Sequence, residues 1–326
     1  MMNIKQGLPL SLVITSYTME RLNDILELLV SVKKQSYKNM ETIFVVERSE
    51  ELRDKIKAFI NEKNIQNIQV VFSNEKLGLS IARNLGITKA KGEIIAFADD
   101  DVVLFPNWAE EMVQAFDNDS IIGVTGSAFP LWENDSLKWL PEEFYWLISC
   151  TAWTGWSKPK IVRGAFGANM AFKREAFTDN FLFAPNTGYT NGSQHQPVSD
   201  DLEFSLRLKK KTKRNIIFSP GPQVWHRVGK QRLSFRFVAQ RAHQVGCTRR
   251  IIRRYYAEEF GSFEQENQVI KGIFKTLVGI PKALVTKPVL AWKKVSITGE
   301  ILVSAAVGYV IPIPSYSLTR DNTEKL

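Results

Sequence analysis

A chain of 326 residues has room for one large domain with an appendage, or for two modest domains, each with a real core. Apolar residues at 44% and charged residues at 24% sit near the globular average, which excludes collagen-like, mucin-like and largely disordered chains. Two cysteines and three histidines exclude a disulfide framework and a multi-ligand His/Cys metal cluster, so any metal must lean on carboxylates. The formal net charge of +9 is local: residues 227–296 hold fifteen Lys or Arg against four Glu, and the remainder is close to neutral. Such a region needs an anionic partner, whether a lipid leaflet, a phosphorylated lipid or a nucleic acid.

In chain order, residues 10–15 read as a buried strand, and Leu22, Ile25, Leu26, Leu29 and Val32 then recur at helical spacing. Strands are expected over 42–46, 68–72 and 93–98, with helices over 50–60 and 79–88 between them. This strand–helix rhythm predicts a mostly parallel sheet wrapped by helices, whose ligands gather at the carboxyl ends of the strands. A helix over 107–116 and a strand over 121–126 follow. The stretch 127–163 then holds five of the eight tryptophans, with Pro141 and Pro159 breaking any long helix. Further on come strands at 168–172 and 215–219 around a helix over 201–210, and beyond His226 only helical patterns, over 235–256 and 269–294. No run reaches the roughly 20 apolar residues of a spanning helix, and no secretory signal pattern opens the chain, so a cytoplasmic protein is expected.

Asp99, Asp100 and Asp101 follow the apolar strand that ends at Ala98, and like charges packed at a strand end call for a cation; oxygen donors suit Mg²⁺ or Mn²⁺. Asp200, Asp201 and Glu203 open a helix, where a carboxylate can accept a proton from a hydroxyl or simply favour the helix dipole. Arg83 and Asn84 are candidates for a diphosphate, since guanidinium matches phosphate in a bidentate way. His226 is a candidate ligand or a hydrogen-bonded structural residue. The glycine fingerprints of dinucleotide-binding and P-loop proteins are missing.

These segments occur in a recognisable order: LSLVITSY from Leu10, TIFVVE ending at Glu47, GLSIARNLGI from Gly78, FADDDV from Phe97, GANMAFKREAF from Gly167, SDDLEFSLRL from Ser199, and VWH ending at His226. Together they resemble the inverting glycosyltransferases of family 2. The resemblance covers about residues 10–226 and implies the GT-A fold, an α/β Rossmann-like sheet flanked by helices; with the end of the strand–helix alternation and the charge pattern, the expected domains are 1–228, with residues 127–163 as an acceptor-side insertion, and 229–326, a basic, membrane-associating helical region. It implies Thr15, Tyr17 and Glu47 at the nucleotide base, where Glu47 replaces the family's usual aspartate. It places Arg83 at the diphosphate, Asp99 near the ribose, Asp100 among the nucleotide-sugar-binding residues, Asp101 and His226 on Mg²⁺ or Mn²⁺, and Asp201 as the general base beside Asp200, where the family usually has glutamate.

The run LPEEFYWLISC from Leu140 to Cys150 is further similar to a segment of transferases that extend dolichyl- or polyprenyl-phosphate-linked sugars. In the tryptophan-rich stretch Trp146 and Trp153 are expected either in aromatic core packing or on the acceptor side, indole rings being suited to sugar faces and membrane interfaces, and Asp200 is also expected on the acceptor side. Arg241, Arg249, Arg250, Arg253 and Arg254, interleaved with apolar residues, predict a basic amphipathic helix at an anionic membrane surface. The expected partners are a UDP-sugar donor and a lipid-linked or polysaccharide acceptor, with no nucleic acid. A nucleic-acid-binding protein using the basic region, or a non-catalytic sugar- or lipid-binding scaffold on the same fold, are the rival readings.

Overall fold

The computed structural model describes residues 7–151, 154–185, 187, 199–259 and 264–311. The chain divides into two compact units, the first running to Ser127 and resuming over Ser157–Trp225, the second taking Ala128–Trp156 and the described residues from His226 to 311.

The first unit is built on a nine-stranded mixed sheet. Strands β1 (Leu10–Ser16), β2 (Met40–Glu47), β3 (Ile68–Ser73) and β4 (Ile94–Ala98) lie parallel in the order β3-β2-β1-β4. Both faces of β1 and β4 are covered, and this is why they read as unbroken apolar runs rather than alternating ones. Helices α1 (Leu22–Lys33), α2 (Glu50–Glu62) and α3 (Leu79–Lys89) make the crossovers. Ser49 caps α2 by accepting a hydrogen bond from the Leu52 amide at 3.2 Å. Gly86 lets α3 settle on the sheet, since a Cβ there would meet Val13 Cγ1 at 2.3 Å.

After β4 come β5 (Val102–Leu104), α4 (Trp108–Gln114), β6 (Ile121–Trp132), β7 (Lys160–Val162), β8 (Asn169–Lys173), α5 (Asp200–Thr212) and β9 (Asn215–Val228). Strand β8 pairs antiparallel with both β4 and β6, so the parallel half of the sheet ends at β4. Phe97, Phe172, Phe177, Phe183 and Phe204 form an aromatic cluster under this junction, with ring centroids 4.5 Å apart for Phe183 and Phe204 and 5.0 Å for Phe172 and Phe204.

Strands β6 and β9 run well past the expected ends at 126 and 219. Pro130, Pro220 and Pro222 lie within these strands although proline cannot donate to a ladder. The structure keeps the strands by using the proline carbonyls as acceptors: Pro222 O takes the Asn169 side-chain amide at 2.9 Å and Pro220 O the Ser127 hydroxyl at 3.3 Å.

The second unit packs Trp139, Leu140, Phe144, Tyr145, Leu147, Ile148 and Cys150 against apolar residues of α6 (Phe235–Tyr255) and α8 (Pro288–Val310). Short 3-10 turns over Asp135–Leu137 and Glu142–Ile148 replace any long helix in the tryptophan-rich stretch. The helical run expected over 269–294 is two helices, α7 (Glu264–Thr286), which carries Pro281 within it, and α8, parted at Lys287, with Pro288 at the first position of α8, where its missing N–H is no loss. No helix among the described residues is long and apolar enough to cross a membrane.

Candidate active site

The site is assembled at the carboxyl end of β4, where Asp99, Asp100 and Asp101 leave the sheet. One ligand atom from each of Asp99, Asp101 and His226 lies within 4.8 Å of the others. His226 reaches the group because it sits late on β9, and its ring is buried, with Nδ1 3.9 Å from Cys150 Sγ and Nε2 3.4 Å from the Arg232 guanidinium. Two carboxylates and one imidazole are a chemically consistent donor set for a divalent cation. Sequence spacing alone had left His226 open between ligand and structural residue.

Asp100 is not a member of that group. Arg21, on the 3-10 turn before α1, forms an ion pair with Asp100 and lies 3.1 Å from Asp101 Oδ2. Burial pushes the Asp100 carboxyl up to about 6; Arg21 opposes that shift and Asp101 adds to it. Burial works against the Arg21 charge, but the three aspartates outweigh it and its pKa is raised. Arg21 escaped the sequence reading because nothing in its local pattern sets it apart from other helix-start arginines; its partner is 79 residues away.

Arg83 lies on α3 and is buried. Its Nη1 donates to Asp200 Oδ2 at 2.7 Å, and Nη2 reaches Asp99 Oδ1 and Gly167 O, each at 3.2 Å. Burial acts against the guanidinium charge, yet Asp200, Asp99 and Asp201 hold it firmly protonated. Burial also raises the pKa of Asp200 above the ordinary carboxylate value, with Arg83 pulling against it. Asp201, the next residue on α5, is half-buried and held by backbone: Oδ2 accepts the Gly167 amide and Oδ1 the Leu202 amide, both at 2.7 Å. Gly167 matters for this approach, since a Cβ there would sit 3.1 Å from Asp201 Oδ2 and 3.2 Å from Arg83 Nη2.

Asn84 uses its amide on the main chain of Phe183, donating to the carbonyl at 2.8 Å and accepting the N–H at 3.0 Å. Glu47 is buried at the end of β2, with Oε2 accepting the amides of Leu77 at 2.6 Å and Gly78 at 2.9 Å. It therefore shapes the entry to α3, which carries Arg83. Thr15 is half-buried at the end of β1, and the exposed Tyr17 ring lies 5.5 Å beneath the Arg48 guanidinium. Trp146 packs at the edge of the second unit's core. Trp153 lies outside the described residues.

A helix-flanked mixed sheet with an acidic metal-ligand group at one strand end is the arrangement of the GT-A class of sugar-transferring enzymes. Known proteins agree. A mannosyltransferase, PcManGT, from Pyrobaculum calidifontis, solved with GDP-Man and Mn²⁺, superposes with a TM-score of 0.62 at 15% identity, covering 94% of this chain and 88% of its own. GalNAc-T7, solved with UDP, GalNAc and Mn²⁺, superposes with a TM-score of 0.55 at 17% identity, over 82% of this chain and 54% of its own.

In sequence, the model of the family described as Glycosyl transferase family 2 matches residues 11–181, and the chain belongs to that family of glycosyltransferases. Over 301 residues it is 27% identical to the glucosyl-dolichyl phosphate glucuronosyltransferase of Haloferax volcanii, covering 92% of this chain and 94% of that protein. Over 103 residues it is 34% identical to the glycosyltransferase GlyG of Streptococcus pneumoniae, covering 30% of this chain and 34% of that protein.

Proposed function

We propose that this enzyme moves a sugar from a UDP-sugar to a hydroxyl of a lipid-linked or polysaccharide acceptor, inverting the anomeric centre, in the synthesis of a cell-envelope or glycoprotein glycan. It works as a peripheral protein on the inner, anionic face of the cell membrane. The observation that carries this reading is Arg83, which binds Asp99 at the strand end and Asp200 at the start of α5, and shares Gly167 with Asp201. One guanidinium thus ties the strand end that would hold a donor to the head of α5, where the next residue, Asp201, would take the acceptor's proton.

In this reading Thr15, Tyr17 and Glu47 border the base, Asp99 lies toward the ribose at the edge of the metal group, and Asp101 and His226 hold Mg²⁺ or Mn²⁺. The metal, when bound, supplies charge compensation for the departing diphosphate. Asp201 receives the proton of the acceptor hydroxyl while that oxygen bonds to the anomeric carbon, and the bond from that carbon to the diphosphate oxygen breaks on the opposite face. The Gly167 amide fixes the Asp201 carboxylate and leaves it partly open to an incoming group.

The Haloferax relative, named for glucosyl-dolichyl phosphate, favours a lipid-linked saccharide over a free polysaccharide. The helices after β9 support a membrane site for the reaction. Phe274, Val278, Val285, Val289 and Trp292 are exposed on α7 and α8 among Lys275, Lys282 and Lys287, the composition of a face that enters the interface while its lysines stay in the headgroups.

The test is incubation of the full chain and Mn²⁺ or Mg²⁺ with a panel of nucleotide sugars, with and without glucosyl-dolichyl phosphate. UDP release that requires one sugar and the lipid is expected. Asp201→Asn should keep nucleotide-sugar affinity and slow transfer by about 10²–10⁴-fold. Release that is equal in Asp201→Asn, or absent with every donor, overturns the reading.

A further inference from the structure

Pro141–Cys150 carries two adjacent glutamates with opposite fates. Glu142 is exposed, whereas Glu143 is 8% exposed, and its Oε1 has no hydrogen-bond partner among the described residues. Three residues on, Trp146 is half-buried and its Nε1 is likewise buried without a partner. On a 3-10 helix, residues i and i+3 eclipse one another, about 6 Å apart along the axis, so the two groups share one face. Gly272 of α7 closes one side: a Cβ there would come within 2.5 Å of Glu143 Cβ. Val269 and Ile273 of the same helix flank the core on which Trp146 packs.

An orphaned buried acceptor and an orphaned buried donor on one face are rare in native proteins, and each costs about 1–3 kcal/mol, more for a charged group. A hydroxyl both donates and accepts, so one hydroxylated ring can satisfy the carboxylate and the indole N–H together while stacking beside the indole. A carboxylate repels phosphate, so the matching part of a glycolipid is its neutral sugar. The segment also ends at Cys150, whose Sγ lies against His226.

We propose that Glu143 and Trp146 form the seat for the neutral sugar headgroup of the acceptor, Glu143 accepting a hydrogen bond from a ring hydroxyl and Trp146 stacking and donating beside it. This rests on the reading of the enzyme as one that glycosylates a lipid-linked saccharide.

Octyl β-glucoside, below its micelle threshold, is the probe, with octyl tetraethylene glycol ether as a tail-matched control, both titrated into the full chain by tryptophan fluorescence. The glucoside should bind saturably, and Trp146→Phe should remove most of the signal. Glu143→Gln should weaken glucoside binding about tenfold, and Glu143→Leu should abolish it, with the control unchanged. Glu143→Leu should melt no lower than the wild type, because an acceptor buried without a hydrogen-bond partner has been removed. Equal glucoside affinity in the wild type and Glu143→Gln, or no saturable binding by the wild type, overturns the proposal; in that case the carboxylate merely holds core water. Donor binding and UDP release, measured on the same preparations, report separately on the proposed reaction.

Discussion

Arg83 Nη1 and Asp200 Oδ2 meet at 2.7 Å in an ion pair whose side chains are 4% and 5% exposed, and the same guanidinium also holds Asp99 and the Gly167 carbonyl. The pair joins α3 to α5, and it sets the cost of changing either residue. Arg83→Ala leaves a buried carboxylate uncompensated and should lower stability by about 3–5 kcal/mol in urea denaturation, apart from any loss of transfer. Asp200→Asn introduced into Arg83→Ala should recover part of that loss, so a double-mutant cycle should return a clear coupling energy.

The acidic triplet should set a pH dependence. The folded-state pKa of Asp100 is raised to about 6, first by burial, with Arg21 opposing. An acid with a raised folded pKa contributes stability that is full below the unfolded value of about 4 and is lost as pH climbs through about 6. In chelator-treated protein, the wild type should lose stability between pH 4 and pH 6.5 relative to Asp100→Asn. Arg21→Met should carry the Asp100 titration to still higher pH, as followed by carboxyl carbon NMR.

Glu47 holds the Leu77 and Gly78 amides just before α3, where Gly78 has φ +77°, a conformation that suits glycine. Glu47→Ala should therefore raise amide exchange at these two positions and raise the KM for donor through Arg83, with stability falling by about 1–3 kcal/mol. Glu47→Asp, one methylene short, should rescue little of this.

The apolar face of α7 should decide membrane recruitment. Phe274 is 70% exposed and Val285 is 86% exposed. Burying a side chain of this size is worth about 1.5–3 kcal/mol, so Phe274→Glu or Val285→Glu should cut sedimentation with phosphatidylglycerol vesicles by roughly 10–100-fold. Raising the salt should weaken wild-type binding as well, because the flanking lysines act through screened charge.

Several features were legible in order along the chain. The apolar runs of β1 and β4, the helical spacing of α1 and the acidic triplet after Ala98 can each be read within a dozen residues, because periodicity and strand ends are local properties. The sheet's antiparallel half was less legible. Prolines interrupt the pattern in β6 and β9, and in β9 the carbonyls of Pro220 and Pro222 are tied to Ser127 and Asn169 by contacts that local sequence does not reveal. Pro288, by contrast, did end a helical run, since it opens α8 directly after Lys287.

The amino-acid order by itself determined the strand–helix alternation, the placement of acidic groups after β4 and at the head of α5, and the concentration of positive charge beyond β9. These follow from side-chain polarity and from backbone preferences that act over a few residues. The fold alone decided what those acids face. Arg21 is 79 positions from Asp100, Arg83 is 117 from Asp200, and Glu143 becomes an orphaned carboxylate while its neighbour Glu142 reaches solvent. Burial and charge pairing depend on which segments the packed core brings together, and one-dimensional spacing carries no information about that.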